Sequence, residues 1–97
     1  MIGVKDNNIE IKDPFWDYFE QSLIRSILYY IDSELPEKRN NVNTMLTLLN
    51  EGPWEKLDGF YKIIPNYQEE KKSYLEFRAA GKVIQQGTVN GILTRVN

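Results

Sequence analysis

Asp13-Pro14-Phe15-Trp16-Asp17-Tyr18-Phe19-Glu20-Gln21-Ser22-Leu23-Ile24-Arg25-Ser26-Ile27-Leu28-Tyr29-Tyr30-Ile31 is the stretch on which the fold turns. Asp13 is a good N-cap residue. Pro14 suits the first helical position, where its missing N–H would have had no intrahelical partner. From there Trp16, Phe19, Leu23, Ile27 and Tyr30 recur at three- and four-residue spacing, one side of an α-helix. Ile24 and Ile31 widen the stripe, while Asp17, Gln21, Arg25 and Asp32 fall opposite. Pro36 disfavours a helical residue before it, so the helix is expected to end near Leu35.

Beyond a polar connection at residues 36–41, Asn41 or Asn43 can cap a second helix carrying Val42, Met45, Leu46 and Leu49. Gly52 is a natural stop for it, with Pro53 just after. Trp54, Leu57, Tyr61 and Ile64 then mark a third short helix closed by Pro65, weakened in its middle by Gly59. Asn66 can cap a fourth helix expected to run at least to Gln85, with Tyr74, Phe77, Ala80 and Ile84 on its buried side. Either that helix continues through Gly87 and Gly91, or it breaks near Gly87 and restarts with Thr88 as cap. Working back from the first helix, Ile2, Val4, Ile9 and Ile11 alternate around Asp6-Asn7-Asn8. That pattern suits an extended arm or a marginal hairpin, and a lone two-stranded ribbon is weakly stable. The expected organisation is an all-α domain over residues 13–97, a small bundle of four to five helices, with residues 1–12 as an extended flank or linker.

Composition sets the outer bounds. The 97 residues suffice for one modest core. A hydrophobic content of 41% argues against disorder. Without cysteine there is no disulfide framework, which fits a reducing compartment without establishing one, and without histidine the usual zinc sites and His-based acid–base catalysis are excluded. No apolar run approaches the ~20 residues of a membrane span, and no direct membrane contact is expected. The formal charge of −2 hides an asymmetry: residues 1–37 carry eight acids and three bases, residues 71–97 five bases and one acid. Either the two ends attract each other across an antiparallel packing, or the basic end faces a partner.

Motifs for catalysis are missing from the sequence. No phosphate-cradling loop occurs, adjacent carboxylates such as Glu69-Glu70 diverge on a helix, and the serines have no activating base. The expectation is a chain with no catalytic residue, cofactor or metal of its own.

Two features invite a functional reading. Glu20 projects about 40° from Trp16 and about 60° from Leu23 on a helical wheel, inside the apolar arc. A carboxylate there must be paired, hydrogen-bonded or protonated. It is either a carboxylate at the core margin with a cationic or N–H partner, or a partner-binding or switch residue. Lys71, Arg78 and Lys82 fall within about 20° of one direction if their helix is continuous, with Lys72 on the flank. That stripe is either an ordinary solvated face or a contact for nucleic-acid phosphates or an acidic protein. The expected core is Trp16, Phe19, Leu23, Ile27, Tyr30, Leu46, Leu49, Trp54, Leu57, Tyr74, Phe77 and Ile84. Its aromatic members are read as core and rim, not as platforms for stacked bases.

Asp13-Pro14-Phe15-Trp16, followed by Glu20 and the run Leu23 to Ile31, resembles the start of the all-α domain of the coupling ATPases of type IV secretion and bacterial conjugation. Further similarities follow in order: Pro36-Glu37, the helix around Met45 to Leu49, Tyr74-x-x-Phe77 and Ala79-Ala80-Gly81-Lys82, covering residues 13 to about 95. Many relatives continue after the lysine with Thr and an Arg- and Ser-containing run, whereas Val83-Ile84-Gln85-Gln86-Gly87-Thr88 stands here. The resemblance implies an insertion excised from a RecA-like motor that carries the nucleotide-binding motifs and assembles as a hexamer. It implies recognition of the relaxase or another relaxosome protein, with its attached single-stranded DNA, on the cytosolic side. The rival readings are a direct single-stranded DNA-binding helical module and an unrelated helical adaptor.

Overall fold

A computed structural model describes residues 17–39 and 41–96. Trp16, the capping pair Asp13-Pro14 and the arm over residues 1–12 lie outside the described residues. Within them the protein is all-α: α1 (Tyr18–Glu34), a 3-10 turn (Pro36–Lys38), α2 (Val42–Glu51), α3 (Trp54–Lys62), α4 (Glu69–Arg78) and α5 (Lys82–Val96).

α1 begins later than the Asp13-Pro14 signal suggests. Asp17 is its N-cap: the Glu20 N–H donates to Asp17 Oδ1 at 2.8 Å, and the Asp17 N–H donates back to Glu20 Oε1 at 3.3 Å. This reciprocal capping box satisfies two of the amide donors that a helix start leaves without partners. α2 opens on Asn41, whose side chain accepts from the Thr44 N–H, and closes on Gly52 in the left-handed region at φ 74°. Only glycine takes that conformation at no steric cost.

α1 lies at the centre. Leu23, Ile24, Ile27 and Ile31 are buried against Met45 and Leu49 of α2, Leu57 and Tyr61 of α3, Tyr74 and Phe77 of α4, and Ile92 of α5. Tyr18 near the start of α1 bonds Glu76 near the end of α4, and Arg25 two turns on reaches back to Ser73, so the two helices run in opposite senses. Tyr61 stacks on Tyr74 and donates its hydroxyl to the Ser26 carbonyl of α1 at 2.7 Å. That bond satisfies a buried O–H that would otherwise be costly.

The long fourth helix expected from periodicity is two helices. α4 stops at Arg78, and Gly81 at φ 93° turns the chain into α5. α5 then passes without interruption through Gly87 and Gly91, so the break comes six residues before Gly87. Ala80 and Ile84 consequently lose the helical phase that tied them to Tyr74 and Phe77. Ile84 is 43% exposed and is not part of the core. Tyr30, Leu46 and Trp54 are half-buried and packed against the core, Phe19 is half-buried against Tyr18, and Leu23, Ile27, Leu49, Leu57, Tyr74 and Phe77 are buried.

Candidate partner-binding site

The basic stripe does not exist as a stripe. Lys71, expected to face outward, is only 9% exposed and donates Nζ to the Ile64 carbonyl at 2.8 Å. That carbonyl lies just beyond the end of α3, where backbone acceptors lack helical partners, so the lysine acts as a cap supplied from another helix. Lys72 stays in solvent, 4.0 Å from Glu69 on its own helix. Lys82 stands on α5, beyond the Gly81 turn, and is exposed. The seven- and eleven-residue spacings align only on an unbroken helix.

Arg78 has the densest set of partners of the four. Its Nε and Nη2 donate to the two carboxylate oxygens of Asp58 at 3.1 and 3.0 Å, a bidentate pairing. Nη1 donates to Gln85 Oε1 at 2.9 Å, and the guanidinium lies 5.3 Å from the centre of the Trp54 ring. Gln85 returns a bond from Nε2 to the Arg78 carbonyl at 2.9 Å, so one side chain splints the two helices across their break. Tyr74 completes the cluster by donating its hydroxyl to Asp58 Oδ1. Burial alone would raise the Asp58 carboxyl, but the hydrogen bonds from Arg78 and Tyr74 and the arginine charge outweigh it and hold it below the usual carboxylate range. Burial, then the bond to Asp58, raises the Tyr74 hydroxyl well above an ordinary tyrosine.

Beside this cluster opens a groove of about 680 Å³, lined by Leu49 of α2, Trp54 of α3, Arg78 of α4 and, from α5, Lys82, Gln85, Gln86, Val89 and Asn90. Two of its lining residues are cations and none is an acid. It is the place where two of the residues nominated from sequence, Arg78 and Lys82, meet. Gln85, Gln86 and Asn90 carried no signal that singled them out. They follow the Gly81 turn, and only that turn directs them here.

Glu20 belongs elsewhere, at the meeting of the two ends of the described chain. It is 3% exposed, completes the Asp17 capping box and forms an ion pair with Arg95 of the last turn of α5. Its carboxylate lies directly over Gly91, where any Cβ would overlap Glu20 Oε2. Neither the arginine 75 residues away nor the glycine beneath the carboxylate could be assigned to Glu20 from a helical wheel.

Among the described residues no group of three or more Asp and Glu side chains is placed to hold a metal ion, and no helix is long and apolar enough to cross a membrane. Comparison with protein-family models, with curated proteins and with solved structures returns no match for this chain.

Proposed function

We propose that the chain is a non-catalytic recognition domain of a type IV secretion or conjugation coupling protein. In this reading it engages the relaxase or another relaxosome protein in the cytoplasm, while nucleotide hydrolysis belongs to a motor in the same, longer polypeptide. The observation that carries the proposal is the groove at Trp54, Arg78 and Lys82: a preformed, acid-free recess on an otherwise acidic protein. Concave sites with a few fixed polar groups are where proteins hold ligands and partner segments. The ordered similarity from Asp13 to Lys82 supplies the family. The contact between the first turn of α1 and the last turn of α5, through Glu20 and Arg95, meets the requirement that an inserted domain leave and rejoin its host at one place, a closeness common among domains.

The decisive experiment measures binding of the purified chain to a relaxase, alone and covalently joined to single-stranded DNA, across a salt series. Capture of the relaxase that weakens with salt is expected. Binding of free single-stranded DNA as tight as that of the relaxase would replace this reading with the nucleic-acid one. Absence of relaxase binding at any salt concentration would remove it.

A further inference from the structure

The groove has a chemistry more specific than "basic". Arg78 lines it but is already committed: three of its nitrogens are bonded, two of them to Asp58, which neutralises most of its charge. Lys82 is exposed and has no ion-pair partner among the described residues. Gln86 and Asn90, one helical turn apart on α5, are exposed along one wall. Each carries an amide with both donors and an acceptor, the complement of a peptide main chain. Leu49, Val89 and Trp54 supply the apolar part of the lining.

Such a set discriminates between classes of partner. A single-stranded nucleic acid needs open aromatic faces for its bases and a run of cations along its backbone. The half-buried Trp54 ring already has Phe77 at 5.5 Å between centroids and the Arg78 guanidinium at 5.3 Å from its centre, and it is the one aromatic residue in the groove lining. One unpaired cation is left for phosphates. An extended polypeptide needs less: one cation for a carboxylate, amides for its backbone, and an apolar recess for an alternate side chain.

We propose that this groove is a subsite for an extended acidic–apolar peptide segment of a protein partner. A Glu or Asp of that segment pairs with Lys82, its main chain bonds Gln86 and Asn90, and a neighbouring aliphatic side chain sits against Leu49 and Val89. Opposite charge acts on the rate and salt sensitivity of capture, and the amides and apolar lining fix register. The inference deepens the recognition reading above and rests on it for the identity of the partner, though not for the chemistry of the groove.

The test is a titration of the intact ¹⁵N-labelled chain, following the Trp54 indole and the Gln86 and Asn90 side-chain amide resonances. The probe is the capped peptide acetyl-Glu-Leu-Glu-Leu-Glu-amide; acetyl-Lys-Leu-Lys-Leu-Lys-amide and hexathymidylate are the controls. The acidic probe is expected to shift those three residues, to weaken with salt, and to bind about fivefold more weakly to Lys82→Glu, the scale of one partly exposed ion pair. Gln86→Glu, also at an exposed position, should weaken it in the same direction. Equal binding of the lysine peptide, shifts confined to another surface, or tighter binding of hexathymidylate at the same resonances would each overturn the proposal. A relaxase captured equally by wild type and Lys82→Glu would sink the subsite and leave the recognition reading standing. Acidic-probe binding without relaxase binding would do the reverse.

Discussion

Along α1, Leu23, Ile24, Ile27 and Ile31 are all buried, whereas among the described side chains α5 buries one large apolar residue, Ile92, and leaves Val83 and Ile84 in solvent. The two helices are of similar length, 17 and 15 residues, and α5 lies against both α1 and α2. They are held by different forces. α1 is fixed on nearly every turn by non-directional burial, each large side chain contributing roughly 1.5–3 kcal/mol. α5 is held by less burial and more polar contact: Gln85 clasps Arg78 at its start, Ile92 is buried with Val89 and Leu93 partly packed beside it, and Arg95 pairs with Glu20 at its end. A helix attached in this way can be the least stable unit of a small domain, since local opening follows sparse apolar contact. It also supplies most of the residues that line the groove, so the surface proposed for binding is carried largely by the α-helix with the fewest buried apolar side chains among those described.

The comparison breaks first if the core is not where the stability resides. Phe77→Ala, at a fully buried position on α4, should destabilise by about 3–5 kcal/mol, enough to unfold much of a domain holding ~5 kcal/mol in total. Urea denaturation followed by circular dichroism measures it, and a loss under 1 kcal/mol would mean the packing around α1 and α4 is not the stabilising element.

Two glycines of α5 sharpen the contrast. A Cβ at Gly91 would collide with the Glu20 carboxylate, while one at Gly87 meets nothing within 4 Å. Gly87→Ala should therefore stabilise by up to ~1 kcal/mol through helix propensity. Gly91→Ala should instead destabilise by about 1 kcal/mol, because the Glu20 carboxylate must shift to admit the methyl and its bonds to Arg95 and the Asp17 N–H are disturbed. Hydrogen exchange should show the Gly91 variant opening α5 without loosening α4. Equal stabilisation by both alanines would show that the contact between Glu20 and α5 contributes little.

A smaller effect separates two adjacent lysines. Lys71→Met removes the bond to the Ile64 carbonyl and should destabilise by ~1 kcal/mol. Lys72→Met, at an exposed position, should lie within ±0.5 kcal/mol. If the two variants proved indistinguishable by thermal melting, the capping of α3 by Lys71 would be without consequence.

The smallest expected effect is one of pH. The Asp58 carboxyl is held below its unfolded value, so its contribution is complete above the ordinary aspartate pKa of about 4 and is lost as pH falls through the lower folded value. Wild type should lose a little more stability than Asp58→Asn between about pH 4 and pH 2, an increment made modest by the half-exposed side chain. Parallel acid titrations of the two proteins would show that the cluster is not stabilising through this carboxylate.

Much of this fold is local and therefore legible in the chain. The α1 stripe, the Asn41 cap, the Gly52 stop and the closure of α3 before Pro65 depend on residues within about four positions of each other, the reach of helical hydrogen bonds and caps. The start of α1 is not legible in the same way: Asp13-Pro14 carries the expectation, and the structure instead caps the helix four residues later at Asp17, through a Glu20 that also pairs with a cation in α5.

The fate of each charge was decided by tertiary structure alone. Lys71, Arg78 and Lys82 share a helical direction only while the helix continues, and Gly81 ends it. After that turn, Lys71 caps α3, Arg78 is bound by an aspartate twenty residues earlier, and of the three only Lys82, exposed in the groove lining, keeps its charge free. A sequence determines which helices form because backbone satisfaction and apolar periodicity are short-range. It leaves open which polar group is spent on the fold and which remains for a partner, because that depends on what each side chain meets once the helices have packed.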